Sequence, residues 1–240
     1  MGIKNLNIII HKNASDSTVK REISHLSGKT VVIDSQMYIY KFSKQGALYE
    51  KLYLMIMIFL NNDITPIFVF DNNTVNTNKV KIEKEGSIKF NNNDKKKVRR
   101  FIESLGIRVI YPREKCEAEE LCSYLVSKGE AYGCFTDDTD AFMYGCPYVF
   151  RSLNIINQTY VEYDMDKILN SLSLTLEEFQ QMGVELGTDY KERSITRFHL
   201  KDTYKYYITR SEVDSEYIST ILRKEGFIYF KSKSFYEDCK

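Results

Sequence analysis

Apolar residues in this chain gather in short runs that end in an acid. Residues 29–34 read KTVVID, closed by Asp34, and residues 65–71 read TPIFVFD, closed by Asp71. An unbroken β-branched run of this length marks a strand buried on both faces. From about Ser35 the pattern predicts a helix continuing through YLMIMIFL (53–60) to Leu60. Val98, Phe101, Ile102 and Leu105 recur at helical spacing after the capping residue Asp94, and Gly106 closes that helix. RVIY (108–111) reads as a strand stopped by Pro112. A helix from about Cys116 follows, with Ala118, Leu121, Cys122, Leu125 and Val126 inward and Gly129 past its end. AYGCFT (131–136), YVF (148–150) and YVEY (160–163) read as strands, and 175–186 as a helix ending at Gly187. Strands alternating with helices predict an α/β fold with a mostly parallel central sheet flanked by helices.

Two segments break this texture. Residues 72–93 are rich in Asn and Lys with little periodicity, which predicts a loop or a short, poorly formed helix. From about Tyr190 the chain turns polar, aromatic and helical, with HLKDTYKYYI as its clearest helix. The expected organisation is a core over 1–190, split into an N-terminal part (1–93) and an internal part (108–190). A small helical extension covers 191–240.

Composition adds exclusions. The chain has 240 residues, 43% of them hydrophobic, enough for a real core. The formal net charge is +1, but an acidic cluster would mask basic patches, so this value says little about partners. Basic residues do gather at Lys95, Lys96, Lys97, Arg99 and Arg100, with Lys79, Lys81, Lys84 and Lys89 upstream. The five cysteines form no C-x-x-C pair and there are only three histidines, so a zinc site is not expected. Their spacing fits buried free thiols in a reducing compartment. The longest apolar run is too short to span a bilayer. The N-terminus lacks a secretory pattern, and Leu6 stands where a myristoylation signal needs Ser or Thr.

The candidate chemistry lies in seven acids, each where an element should end. They are Asp34, Asp71, Glu117 and Glu119 in CEAEELC, Asp138 and Asp140 in FTDDTDAF, and Asp189 in LGTDY. Carboxylates are the ligands of hard cations such as Mg²⁺. Two such ions about 3.5–4 Å apart hold the attacking and leaving oxygens of a phosphodiester displacement. Ligands of open α/β sheets collect outside the carboxyl ends of the strands, where Asp34 and Asp71 fall. A lone Asp after a strand is ordinarily a turn or a cap; the series carries the inference. Glu117 and Glu119, at i and i+2, share no helix face, so both reach a cation only from the first turn. Glu120 is expected to face solvent, and Asp137 to cap or support its neighbours.

These motifs, in this order, resemble the flap endonuclease and XPG-type structure-specific 5′ nucleases. MGIKNL is similar to that family's start, VVIDSQMYIYKF to its first acidic motif and FVFDNN to its second. CEAEELC with FTDDTDAFMYG is similar to its internal motif, and LGTDY to its last. The resemblance runs from residue 1 to about 190. It implies a PIN-like fold, two Mg²⁺ ions for which Mn²⁺ substitutes, and cleavage of DNA near 5′ flaps, ends or junctions in replication, repair or recombination. All seven acids fall on the family's metal positions. Gly2 matches a residue near the DNA, and Tyr40 one that stacks on a nucleobase.

Three departures stand out. The segment between Asp71 and Glu117, which in the family carries a helical arch, is short. Lys79, Lys81 and Lys84 are the candidates for the arch-base cations, and Arg99 and Arg100 for further phosphate contacts. The glycine-rich turn that follows the last acidic motif in the family is replaced by KERSITRFHLKD. No sliding-clamp peptide is evident. An intracellular monomer is expected, in the nucleus or at sites of DNA replication (the cytoplasm for a viral protein), with DNA as its partner and no membrane. An RNA-cutting relative and a non-catalytic junction-binding scaffold are the alternatives.

Overall fold

The structure is a computed structural model that describes residues 2, 3, 5–71, 92–112 and 116–186. Lys79, Lys81, Lys84, Lys89, Asp189 and the 191–240 extension lie outside the described residues. In chain order the elements are α1 (Leu6–Asn13), β1 (Thr18–Glu22), β2 (Thr30–Asp34), α2 (Ser35–Lys44), α3 (Leu48–Asn61), β3 (Thr65–Val69), α4 (Asn92–Ser104) and β4 (Arg108–Ile110). They continue with α5 (Ala118–Ser127), β5 (Gly133–Phe135), α6 (Asp140–Met143), β6 (Tyr148–Asn154), β7 (Thr159–Asp164), α7 (Met165–Leu172) and α8 (Leu176–Leu186).

All seven strands join one sheet in the order β1-β7-β6-β5-β2-β3-β4. The pairs β2–β3, β3–β4, β2–β5 and β5–β6 are parallel, while β6–β7 and β1–β7 are antiparallel. The parallel part is the mostly parallel sheet the sequence predicts. From β2 the chain builds outward through β3 to β4, then returns to place β5 on the other side of β2. The strand order therefore reverses between β2 and β5, and a crevice opens at such a reversal beyond the carboxyl ends of the strands.

The sheet separates two cores. Val32, Ile67, Val69 and Cys134 pack with α1, α5 and α7 on one face; Val31, Ile33, Phe68 and Phe135 pack with α2, α3 and α4 on the other. Burial on both faces is why these strands read as unbroken apolar runs. Phe135, Phe150 and Tyr160 stack edge-on in the second core, with ring centroids 4.9–5.6 Å apart.

The structure corrects the long helix expected from Ser35 to Leu60. Gly46 lies at φ 69°, its N–H donates to Ser43 O at 2.9 Å, and Ala47 N–H donates to Phe42 O at 3.2 Å. This pair of bonds is the Schellman ending of α2, and α3 starts afresh at Leu48. Periodicity alone runs through such a break because the apolar positions resume in phase. Asp94 does not cap α4 either: that helix begins at Asn92, with Asp94 in its first turn and 3.6 Å from Lys97 Nζ. Among the described residues no helix is long and apolar enough to cross a membrane.

Candidate metal centre

The described acids of the series lie on elements that end or begin at the carboxyl edge of the parallel strands, and three of them, Asp34, Asp71 and Asp138, act on one another there. Asp34 is the last residue of β2 and the N-cap of α2. Its Oδ1 accepts from Met37 N–H at 3.4 Å and its Oδ2 from the Thr136 hydroxyl at 2.9 Å. Thr136 follows β5, so this bond spans the β2/β5 reversal. Asp71 lies two residues past β3, and its Oδ1 accepts from Ala118 N–H at 3.0 Å, tying that strand end to the start of α5. Glu117 is the N-cap of α5 and accepts from the Tyr144 hydroxyl at 3.5 Å; Glu119 sits in the first turn. Asp138 comes from the loop after β5, and Asp140 opens α6. Asp138 N–H donates to Thr136 Oγ1 at 3.1 Å, and Asp140 N–H to Asp138 Oδ1 at 3.3 Å. Asp34, Glu117, Glu119, Asp138 and Asp140 are all buried, and Asp71 is partly exposed.

The electrostatics record the crowding. The Asp34 carboxyl is pushed up to about 7, first by burial, then by the negative charge of Asp71, with Asp138 adding to it; the Thr136 hydroxyl works the other way. Clustered carboxylates raise one another in this manner when no cation neutralises them. Among the described residues, no three His, Cys, Asp or Glu side chains form a ready ligand shell. The donor set itself is all carboxylate, the chemistry that hard divalent cations take.

Glu120 differs from expectation. It is 2% exposed rather than solvent-facing. Burial pushes its carboxyl up to about 7, opposed by a backbone hydrogen bond from Glu117 and aided by the Glu117 charge. It stands three residues after the N-cap and makes only the back-bonding half of a capping box, since the Glu117 side chain does not bond the helix in return.

The N-terminus docks onto the same loop. Ile3 N–H donates to Thr139 Oγ1 at 2.6 Å. Gly2 sits at φ 92° with Asp138 Oδ1 and Thr139 Oγ1 where a β-carbon would be, so no larger residue fits without moving the acid loop. Gly2→Ala is expected to lower stability by about 1–2 kcal/mol from the backbone alone, and to depress Mg²⁺-supported activity further by displacing Asp138. Thermal melting and flap cleavage check the two parts.

Other candidates take distinct places. Tyr40 is 39% exposed on α2 while Tyr38 is fully buried, so Tyr40 is the tyrosine there that a ligand could reach. Arg100 is exposed on α4. Arg99 on the same helix contacts Tyr111 OH at 3.4 Å and Glu103 at 3.3 Å. Asp137 points away from its acidic neighbours, bonding Lys41 Nζ at 3.0 Å and Ser152 N–H at 2.8 Å. Cys122, Cys134 and Cys146 are buried free thiols, and burial pushes Cys122 up to about 11.

Sequence reasoning missed the supporting groups: Thr136, Thr139, Lys41, Asn7 and Arg151. No periodic signal marks them. The T-D-D-T pattern, hydroxyls flanking acids in a tight loop, was the available hint for the two threonines.

Comparison with known proteins supplies the family and the fold. A family model described as the XPG N-terminal domain matches residues 1–92, and one described as the XPG I-region matches residues 108–189. Flap endonuclease 1 of Vanderwaltozyma polyspora is 28% identical over 235 residues, covering 79% of this chain and 62% of its own length. A probable flap endonuclease 1 homolog of Danio rerio is 27% identical, with coverages of 80% and 59%. The chain thus spans about three fifths of the length of these relatives. Among solved structures, the flap endonuclease-1 of Methanococcus jannaschii superposes with a TM-score of 0.67 at 22% identity, covering 90% of this chain and 81% of that one. The catalytic core of Rad2 in complex with DNA substrate gives 0.69 at 20% identity, with coverages of 99% and 77%. The Holliday junction-resolving enzyme GEN1, in complex with product DNA and Mg²⁺ ion, gives 0.66 at 20%, with coverages of 93% and 58%.

Proposed function

The chain belongs to the XPG-type 5′ nuclease family, and from that premise we propose that it is a divalent-metal-dependent nuclease that hydrolyses DNA phosphodiesters at flaps, 5′ ends or junctions. The observation that carries the reading is the group of carboxylates at the strand-order reversal, where burial, then the charges of Asp71 and Asp138, raise the Asp34 carboxyl. Burying so many acids together is unfavourable unless cations join them.

Asp34, Asp71, Glu117, Glu119, Asp138, Asp140 and Asp189 would hold the ions, two Mg²⁺ or Mn²⁺ in their place. Bound there, the cations supply an activated water and stabilise the leaving 3′-oxygen. The chain's own groups set the scene for that chemistry. Thr136 orients Asp34, Ala118 N–H orients Asp71, Tyr144 orients the Glu117 carboxylate, and Glu120 holds the Glu117 backbone. Gly2 leaves room for the backbone beside Asp138, and exposed Tyr40 offers a face for a nucleobase. Arg99, Arg100, Lys79, Lys81 and Lys84 would contact phosphates, an interaction that weakens as salt rises. The reading places residues 1–190 as the nuclease core, with 72–93 as a short arch-like segment, and 191–240 as a DNA-binding extension. It places the protein as a monomer at sites of DNA replication, repair or recombination, in the nucleus.

Incubating a labelled 5′-flap DNA duplex and its RNA-flap counterpart with the protein tests this. Cleavage of the DNA flap in Mg²⁺ and none in EDTA is the expected result. Preferential cutting of the RNA flap would assign the site to RNA. Junction binding without cleavage in Mg²⁺ or Mn²⁺ would make the protein a scaffold.

A further inference from the structure

Arg151 is a cation buried in β6, 9% exposed, and its side-chain hydrogen bonds among the described residues go to neutral oxygens rather than to a carboxylate. Its guanidinium donates from Nη1 to Asn7 Oδ1 on α1 and from Nη2 to the backbone carbonyl of Asp137. It lies 5.8 Å from the Phe142 ring centroid and 5.6 Å from that of Tyr163. The backbone is also irregular here. The β6–β7 register shifts between Arg151 and Asn154, and Ser152 takes φ 53°, a conformation that costs a non-glycine residue energy. Bulges of this kind re-aim a side chain. In this case the irregularity also turns Ser152 N–H onto Asp137 Oδ1 at 2.8 Å. The other oxygen of Asp137 is held by Lys41 Nζ at 3.0 Å.

Asp137 is thereby gripped at three points: its carbonyl by Arg151, and its two carboxylate oxygens by Ser152 and Lys41. It immediately precedes Asp138. From the other side, Ile3 N–H holds Thr139. The Asp138–Asp140 loop is therefore suspended between β6, α2 and the N-terminal segment that Asn7 continues.

We propose that Arg151 is a positioning residue that fixes Asp138 and Asp140 for divalent-cation binding, with Lys41 as its auxiliary through Asp137. This rests on the metal-centre reading above. A guanidinium suits the task because its planar fork serves the Asn7 and Asp137 oxygens at once while its face lies on two rings; an ammonium does not reproduce that geometry.

The test uses Mn²⁺ alone, its binding followed by the electron paramagnetic resonance signal of the free ion, alongside thermal melting. Arg151→Gln is expected to weaken Mn²⁺ about tenfold or more per folded molecule, the usual effect of removing a group that orients a ligand. Arg151→Lys should fall between Arg151→Gln and wild type. Lys41→Met, which removes a partly exposed ion pair, should fold normally and weaken Mn²⁺ by about threefold. A merely structural Arg151 would lower the melting temperature and leave the Mn²⁺ affinity of the folded protein unchanged, and that result overturns the proposal. Should Arg151→Gln fail to fold, wild-type Mn²⁺ affinity in both Arg151→Lys and Lys41→Met overturns it equally. A wild-type protein that binds no Mn²⁺ sinks the metal centre itself, and this inference with it.

Discussion

Cleavage of a labelled 5′-flap duplex in Mg²⁺ falls by about 10³-fold or more in Asp138→Ala, a loss of about 4 kcal/mol of transition-state stabilisation. Asp138 is buried beside Asp34, across the strand-order reversal, and its negative charge helps to raise Asp34. Removing it takes away one proposed ligand and loosens Asp140, whose N–H it accepts. Asp138→Asn separates these effects. The amide oxygen still accepts the Asp140 N–H while the charge is gone, so a comparable loss in both variants assigns the effect to the charge. Because the substitution relieves repulsion, the metal-free protein should melt no lower in Asp138→Asn than in wild type. DNA binding in EDTA should persist, since basic and aromatic groups elsewhere carry it. Activity within tenfold of wild type in either variant would remove Asp138 from the centre.

The second large effect is on stability. Asp34 has an ordinary value of 3.8 but in the fold is pushed up to about 7. Between those values the folded state holds a proton that the unfolded chain has released, so stability falls as pH rises through this window. The slope reaches about 1.4 kcal/mol per pH unit for a single fully shifted group. Glu120, pushed from 4.5 up to about 7, acts in the same direction. Metal-free protein should therefore melt higher at pH 5.5 than at pH 7.5. At pH 7.5, Mg²⁺ or Mn²⁺ at 100 times its dissociation constant adds about 2.7 kcal/mol, a rise of about 5–10 °C for a chain of this size. Near pH 5 the same ions should add far less, because Asp34, one of the carboxylates they need, is then protonated. A melting temperature indifferent to both pH and ion would mean that these carboxylates do not form a cation site.

Much of this was legible in the residues. KTVVID and TPIFVFD state both the buried parallel strands and the acids at their ends, because a strand buried on both faces cannot disguise itself as an alternating pattern. What stayed hidden depends on contacts between distant positions. The Schellman ending at Gly46 is a two-bond device without period. Glu120 reads as a surface acid, yet it is buried and bonded back to the Glu117 backbone. Arg151 looks like an ordinary basic residue in a strand, and only the register shift at Ser152 shows that it faces Asn7 and the Asp137 carbonyl. Gly2 lay between the two: its motif was recognisable, but the reason for glycine is the side chain of Asp138, which occupies the space of a β-carbon.

Whether these carboxylates form a two-cation centre decides the proposed function. Crystals grown with Mn²⁺ and measured at the manganese absorption edge locate the ions. Two anomalous peaks are expected among Asp34, Asp71, Glu117, Glu119, Asp138 and Asp140, with at least one lost in Asp138→Asn. Manganese bound elsewhere, or no peak among these residues in protein that otherwise cleaves DNA, would contradict it.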